Sequence, residues 1–510
     1  MGLTKQVWYN WYTGLVAAGC MILLGYDSSV FNSVQASENW KSAMGNPDPY
    51  MVGLVNTVYT VGGIVTGWFF AGPTSDYFGR RFGMGLGCMI TVVATFLQTF
   101  PPVKGTLACF MVGRVFIGVG TAFATTSGPV YIGEVTAPEI RGKVMSFWQM
   151  FFSVGSFIAY WINFACARNR TSLGHWDWKM VVIFQLMMPV IICAQLPFLP
   201  ESPRWLIAKR NDYEGAKAAL MRVRSTEEEV DAEILSIREA IAFEHETAPR
   251  KREAYLALIK DKAIRKRVIL AFIINVGQQL TGQGTLNSYS STIYQKVFNN
   301  VDTINLINAL NGTLSIMFTL NATWTVDRFG RKWLFMVGAA GMAICTMLIG
   351  VVGLTTPDVN GTKTYGVGIG IATLAFAFAF FFKPSWGAVV WIYTAEIFPM
   401  HVRAQGTGMS VQMQGVANTI FQQFFPIFFK NEGLKVFFFF MTTNVLLILF
   451  TYFCLPETKN VTLEQMDVLF GDVDHVAKGA GFIDEPTAPV PLGDKPEAVA
   501  LETVPKKESV

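Results

Sequence analysis

Between Val268 and Tyr294 the chain carries Asn275, Gln278, Gln279, Thr281, Gln283, Asn287, Ser288 and Tyr289 in a stretch long enough to cross a bilayer as a helix. Glycines stand among them at 277, 282 and 284, and cations flank the stretch at Arg265, Lys266, Arg267 and Lys296. None of the polar side chains inside is charged. A polar group facing hydrocarbon costs roughly 2–7 kcal/mol unless it finds a partner. These side chains must therefore face other helices or a water-filled cavity. An amide donates and accepts at once, which suits a neutral polyhydroxylated ligand. The glycines weaken the helix and let backbone and ligand approach closely. Two readings stand for this stretch taken alone: the amides knit helices together, or they hold a ligand.

Other residues add to either reading. Trp148, Gln149 and Ser156 lie in one apolar block, Trp386, Gly387 and Trp391 in another, and Gln412, Gln414, Asn418 and Gln422 in a third. Tryptophans near amides suit a sugar ring, which needs stacking and hydrogen bonds together. Aromatic packing between helices accounts equally well for any one tryptophan. Asp27 is the single acid of the first apolar block, and the segment continues past it to Val34. An ionisable residue at membrane depth is a functional candidate by default. Arg114, early in the fourth block, either snorkels to the interface or pairs with Asp27. An acid beside a cation that can swing away is the simplest proton-coupling device this sequence holds. Lys383 interrupts the tenth block beside Pro384, and either snorkels outward or touches the ligand path.

These residues must be positioned by membrane helices. Of 510 residues 52% are hydrophobic and 15% charged, with a mean hydropathy of +0.37. Soluble domains carry more charge. The apolar residues fall into twelve blocks of bilayer length, at about 14–34, 51–71, 84–102, 107–128, 144–165, 180–199, 268–294, 303–325, 334–353, 368–395, 405–428 and 434–455. No signal peptide is expected before the first, since only Met1 to Thr13 precede it. Arg80, Arg81, Arg141, Lys143, Arg328, Arg331, Lys332 and Arg403 lie in alternate short loops, and the long segment 200–267 is dense in Lys and Arg. The positive-inside rule places these loops and both termini in the cytoplasm. The seven cysteines show no metal or redox spacing and the four histidines form no cluster, so no metal site is expected. No phosphate-binding Gly-x-x-x-x-Gly-Lys-Ser/Thr loop is present, which argues against an ATP-driven pump.

The chain also repeats itself. Asp76-x-x-Gly-Arg80-Arg81 returns as Asp327-x-x-Gly-Arg331, 251 residues on. Glu134 precedes Arg141 by seven residues, and Glu396 precedes Arg403 by the same seven, 262 residues on. Pro200-Glu201-Ser202 returns as Pro456-Glu457-Thr458 at an offset of 256. Three motif pairs at nearly one offset indicate a duplicated six-span unit. The acids and arginines, on one membrane face, can form charge-assisted bridges that bias two conformations. A solvated charge cluster that only sets orientation is the alternative.

Together these motifs resemble the sugar porter family of the major facilitator superfamily, in its fungal branch, over about 1–460. The marks are Gly72 to Arg81, Arg114 with Gly118 and Gly120, Pro129-x-Tyr131-x-x-Glu134 through Arg141-Gly142, Pro200-Glu201-Ser202-Pro203-Arg204, Gln278-Gln279-Leu280, Asp327 to Arg331, Trp386-Gly387 through Glu396-Ile397-Phe398-Pro399, and Pro456-Glu457-Thr458. The resemblance implies an all-α membrane protein of twelve transmembrane helices in two pseudo-symmetric six-helix bundles, with one central site and alternating access. It implies that Gln149, Gln278, Gln279, Gly387, Trp391 and Asn418 hold sugar hydroxyls, and that Asp27 carries a proton with Arg114 as its partner. Gln283, in a Gly-Gln-Gly run closer to disaccharide-type members, joins the expected binding residues. Asp76, Arg80, Arg81, Glu134, Arg141, Asp327, Arg331, Glu396 and Arg403 are the expected gating residues. Ser156 and Ala388 depart from the family pattern.

The expected organisation is a bundle over 1–199, a cytoplasmic segment with amphipathic helices over 200–264, a second bundle over 265–456, and a largely disordered tail over 457–510. The expected activity is proton-coupled uptake of a hexose or pentose at the plasma membrane, not an enzymatic reaction. The proton is the coupling ion and no cofactor is expected. The partners are a small sugar and the lipid bilayer, without nucleic acid, and the chain is a monomer. Within the class, a uniporter or a disaccharide, polyol or sugar-acid carrier is the alternative. Outside it stand a non-transporting nutrient receptor, and an efflux antiporter, against which the amides argue.

Overall fold

Long apolar runs with few charges satisfy their backbone only as helices when they cross hydrocarbon, and helices are what form. The computed structural model describes residues 5–459 except 103–104, 225, 248–255, 257, 358–362 and 400–401, together with Phe470; at 149, 243–247, 322–324, 327 and 404 it describes the backbone alone. Among the described residues, twelve membrane-length helical segments follow in order. In the first half they are α1 (Lys5–Val34), α2 (Pro49–Phe78), α3 (Arg80–Thr99), α4 (Thr106–Val135), α5 (Pro138–Arg168) and α6 (Trp176–Phe198). In the second they are α7 (Lys262–Leu280, then Gln283–Gln295), α8 (Val301–Phe329), α9 (Arg331–Thr355), α10 (Tyr365–Glu396), α11 (Arg403–Glu432) and α12 (Val436–Cys454). Each apolar block of the sequence overlaps one of them; most helices run further, while the blocks at 84–102, 180–199 and 434–455 overrun theirs by one to three residues. Large apolar side chains point outward, Phe69 63% and Phe453 76% exposed, as a lipid-facing surface requires.

Each half buries its own apolar clusters. Leu23, Met84, Tyr131 and Ile132 mark one in the first half; Ile274, Phe335, Trp386 and Tyr393 mark one in the second. The segment between the halves is not free-standing. Its helices Tyr213–Met221 and Glu227–Thr247 dock beneath the first half, where Leu220, Val223 and Val230 join the first-half core. Buried Arg224 bonds Glu233 at 2.7 and 2.8 Å and Val135 O at 3.3 Å. The tail beyond Lys459 lies outside the described residues except for Phe470, which packs under the second half against Arg267.

The duplication is visible atom by atom at the charged end. Gly79 and Gly330 hold φ of +107° and +89°, where α2 turns into α3 and α8 into α9. A Cβ there would strain the backbone and stand 2.6 Å from Glu201 Oε2 or 2.9 Å from Glu457 Oε2. The two glutamates cap the helices that follow. Glu201 Oε1 accepts from the main-chain N–H of Arg80 and Arg81 at 3.2 and 3.3 Å. Glu457 accepts from those of Arg331 and Lys332 at 2.9 and 3.0 Å. Arg80 pairs with Glu134 at 2.9 Å and Arg331 with Glu396 at 2.8 Å. Ser202 and Thr458 donate to those same acids at 2.5 and 2.7 Å. Tyr131 OH bonds Pro200 O and Tyr393 OH bonds Pro456 O, at 2.7 and 3.2 Å.

Candidate functional site

The central face of the second half is built by a break. α7 stops at Leu280 and restarts at Gln283, with Gly282 between them at φ +95°. The single membrane helix expected over 268–294 is therefore two, because Thr281 and Gly282 form a turn that a side chain at 282 would resist. Thr443 and Asn444 of α12 bind the freed carbonyls of Leu280 and Thr281 at 2.7 and 3.1 Å. The break places amides on both sides of one gap. Gln279 Oε1 and Asn418 Oδ1 converge on Gly284, where a Cβ would meet them at 2.4 and 3.1 Å. Gln279, Gln283 and Asn418 are half-buried and so reach open space. Asn418 Oδ1 also accepts from Gln422 Nε2 at 3.4 Å.

Gln278 is placed differently. It is buried, its Nε2 donates to Trp386 O at 2.6 Å, and its Oε1 accepts from Gln414. In this conformation its amide is spent on protein partners. The two tryptophans of α10 also divide. Trp386 is buried against Phe335 and donates to Phe335 O at 3.0 Å, a core role. Trp391 is 41% exposed and offers a ring. Gly387 closes a wide turn over Lys383–Gly387, with Pro384, which has no N–H to give, at its second position. Gln149 lies within α5, and its side chain is outside the described residues.

The first half presents the ionisable groups. Asp27 and Arg114 are each 1% exposed, so neither caps a helix in water nor snorkels. They are adjacent, yet no ion pair joins them. Arg114 Nη1 donates to the main-chain O of Asp27 at 3.3 Å, and its guanidinium lies over the rings of Tyr59 and Phe31 at 4.5 and 5.3 Å. The Asp27 carboxyl is held by Gln185 Nε2 at 3.0 Å through Oδ1, and its Oδ2 has no partner. Gln185, from α6, drew no notice in the sequence because one glutamine in an apolar run is a weak signal.

Of the expected gating residues, Arg80, Glu134, Arg331 and Glu396 make the pairs given above, and Asp76 bonds Arg80 at 3.1 Å. Arg81 contributes its main-chain N–H to Glu201. Arg141 and Arg403 bond carbonyls of their own loops, Thr136 O at 3.2 Å and Phe398 O at 3.1 Å. The Asp327 side chain lies outside the described residues. Burial pushes the Glu201 carboxyl above its ordinary pKa, against the pull of its N–H donors and Arg81. Every one of the described pairs stays within one half. The halves meet instead through the middle, where Ser153 Oγ lies 3.0 Å from Thr319 Oγ1, and at the opposite end. There Asn32 bonds Ser290 Oγ at 2.7 Å, Gln35 bonds Ser288 O at 2.6 Å, Asn56 bonds Tyr289 OH at 2.9 Å and Asn163 bonds Asn305 at 2.9 Å.

The family model described as "Sugar (and other) transporter" matches residues 13–470. The chain belongs to this family. It is a multi-pass membrane transporter and not an enzyme. It is 27% identical to a protein named as a probable quinate permease of Aspergillus terreus, over 91% of this chain and 88% of that one. It is also 27% identical to the high-affinity glucose transporter of Kluyveromyces lactis, over 94% and 88%. In structure it is similar to the inward open conformation of the xylose transporter XylE from E. coli, with a TM-score of 0.75 at 24% identity over 90% of this chain and 100% of that one. The proton:xylose symporter XylE bound to 6-bromo-6-deoxy-D-glucose gives a TM-score of 0.71 at 25% identity, over 91% and 99%. The twelve-helix, two-bundle fold is the fold of these transporters.

Proposed function

We propose that this transporter takes up a monosaccharide together with a proton, by alternating access at the plasma membrane. The observation that carries this reading is the pairing of two surfaces across the centre. One half offers amides and an exposed tryptophan, and the other a buried carboxyl beside a buried guanidinium. Gln279, Gln283 and Asn418 take hydroxyls, Trp391 stacks on the ring, and Gln278 joins them when α10 and α11 shift. Position 149 lies on α5 in the other half. Asp27 carries the proton. Arg114 is free to move between the Asp27 main chain and its carboxylate, so gain and loss of a proton changes what holds α1 to α4. The named activities of a glucose transporter and a proton:xylose symporter among the similar proteins support the same reading.

The charged end with both termini faces the cytoplasm in this reading, supported by the positive-inside rule. With the opposite end bonded across the halves, the conformation described is inward-facing. The Arg80–Glu134 and Arg331–Glu396 networks then act as gates by holding each half's loops in the shape that meets the other half when that face closes. Arg81, Arg141, Arg403, Asp76 and Asp327 belong to the same loops. The protein works as a monomer in the bilayer, with the proton as its coupling ion and no cofactor. Uptake of labelled glucose, xylose and galactose in a transporter-null yeast, with external pH followed, tests this. Accumulation above the external concentration with alkalinisation of the medium is expected for at least one sugar. Uptake of none of them, or uptake that stops at equal concentrations with no pH change, overturns it.

A further inference from the structure

Lys383 opens the wide turn of α10, with its main-chain N–H bonded to Ala379 O. Wide turns of this kind concentrate at functional sites. The same turn gives Trp386 O to Gln278, so the turn that carries Lys383 is bonded to the amide-bearing helix α7. Its side chain does not snorkel outward. It crosses to the other half, where Nζ stands 3.4 Å from Ser153 Oγ and 5.7 Å from the centre of the Phe152 ring. Ser153 is one helical turn beyond position 149 on the same face of α5, and its hydroxyl also lies 3.0 Å from Thr319 Oγ1. The ammonium thus lies between the surfaces that contribute the expected sugar ligands.

Among the described residues no aspartate or glutamate pairs with Lys383. Its neighbours are a ring face and a hydroxyl, which solvate a cation but do not neutralise it. An ammonium inside a membrane is costly and ordinarily faces a cavity or a counter-charge. We infer that the cargo brings the counter-charge: the site takes a monosaccharide carrying one carboxylate, of the hexuronate class, with Lys383 on the carboxylate and the amides on the hydroxyls. This rests on the central site proposed above and names its substrate class. The charge count selects a monocarboxylate. One carboxylate balances one ammonium, whereas a phosphate monoester brings about −1.5 to −2 and leaves excess negative charge in the bilayer.

The test is binding to the purified full-length protein in detergent, by thermal shift and by competition. The probes are D-glucuronate and D-galacturonate, their parents D-glucose and D-galactose, and glucose 6-phosphate. In the wild type, at least one uronate is expected to bind no more weakly than its parent hexose. In Lys383→Gln the ratio of uronate to hexose affinity falls at least tenfold, and Lys383→Arg restores most of it. The wild-type comparison stands even where a variant fails to fold. Weaker binding of both uronates than of their parents by the wild type overturns the inference and leaves the central site intact. An unchanged ratio in Lys383→Gln does the same, as does tighter binding of glucose 6-phosphate. Binding of none of the sugars, neutral or acidic, overturns the central site and the inference with it.

Discussion

Gln278 and Gln279 are neighbours in sequence, yet one is spent on Trp386 and Gln414 while the other reaches open space beside Asn418. A helix turns about 100° per residue, so adjacent amides cannot both face one cavity without a distortion between them. The residue types were legible from the sequence, because uncharged amides and tryptophans at membrane depth have few uses. Which amide faces the ligand was not, since it depends on the break at Thr281–Gly282 and on the wide turn from across the bundle. Asn418→Ala and Gln279→Ala are each expected to raise the half-saturating sugar concentration about fivefold to tenfold, the loss of roughly 1–1.4 kcal/mol of hydrogen bonding. Trp391→Ala raises it further, and Trp391→Phe recovers part of the loss by keeping a ring. Uptake titrations with the sugar that proves to be carried check all four. Equal half-saturation in wild type and Asn418→Ala contradicts the placement of the site.

At the scale of the elements, the turns into α3 and α9 are the same structure made twice. The repeat itself could be read from spacing, because Asp-x-x-Gly-Arg and Pro-Glu-Ser/Thr return at nearly one offset. The use of its parts could not. Glu201 and Glu457 reach back about 120 residues to cap helices through main-chain N–H groups, and a sequence does not show which distant N–H a carboxylate will find. Arginine–acid bridges form between neighbouring loops of each half. Arg141 and Arg403 bond the carbonyls of Thr136 and Phe398 instead, while Glu134 and Glu396 are held by Arg80 and Arg331. Glu201→Ala and Glu457→Ala each remove a cap, and each is expected to cost about 0.5–2 kcal/mol. Thermal unfolding of the purified protein should show a lower Tm in both. A fall in only one of the two contradicts the equivalence of the turns.

At the scale of the molecule, the halves are tied at one end by neutral hydrogen bonds and carry their charges apart at the other. Those ties are individually modest, about 0.5–1.5 kcal/mol net, which suits a contact that must open in every cycle. Asn163 and Asn305 bond each other across the halves at 2.9 Å. Asn163→Cys with Asn305→Cys is expected to form a disulfide on oxidation that holds this end shut. Uptake should then stop under oxidant and return on reduction, while either single variant is insensitive. Oxidant-insensitive uptake in a double variant whose disulfide has formed contradicts opening at this end. The assembly of twelve helices in two halves was legible in the sequence from block length and repeat. The state they occupy was not, because it lies in pairings between distant residues such as Asn32 with Ser290.

The central claim is that Asp27 couples sugar to protons, and reconstituted vesicles test it most directly. Wild type and Asp27→Asn are placed in liposomes with an imposed inward proton gradient, and both accumulation of labelled sugar and sugar-for-sugar exchange are followed. Wild type is expected to accumulate sugar above the external concentration, and Asp27→Asn to lose accumulation while keeping exchange. Equal accumulation by both, or a wild type that only equilibrates, contradicts the role assigned to Asp27.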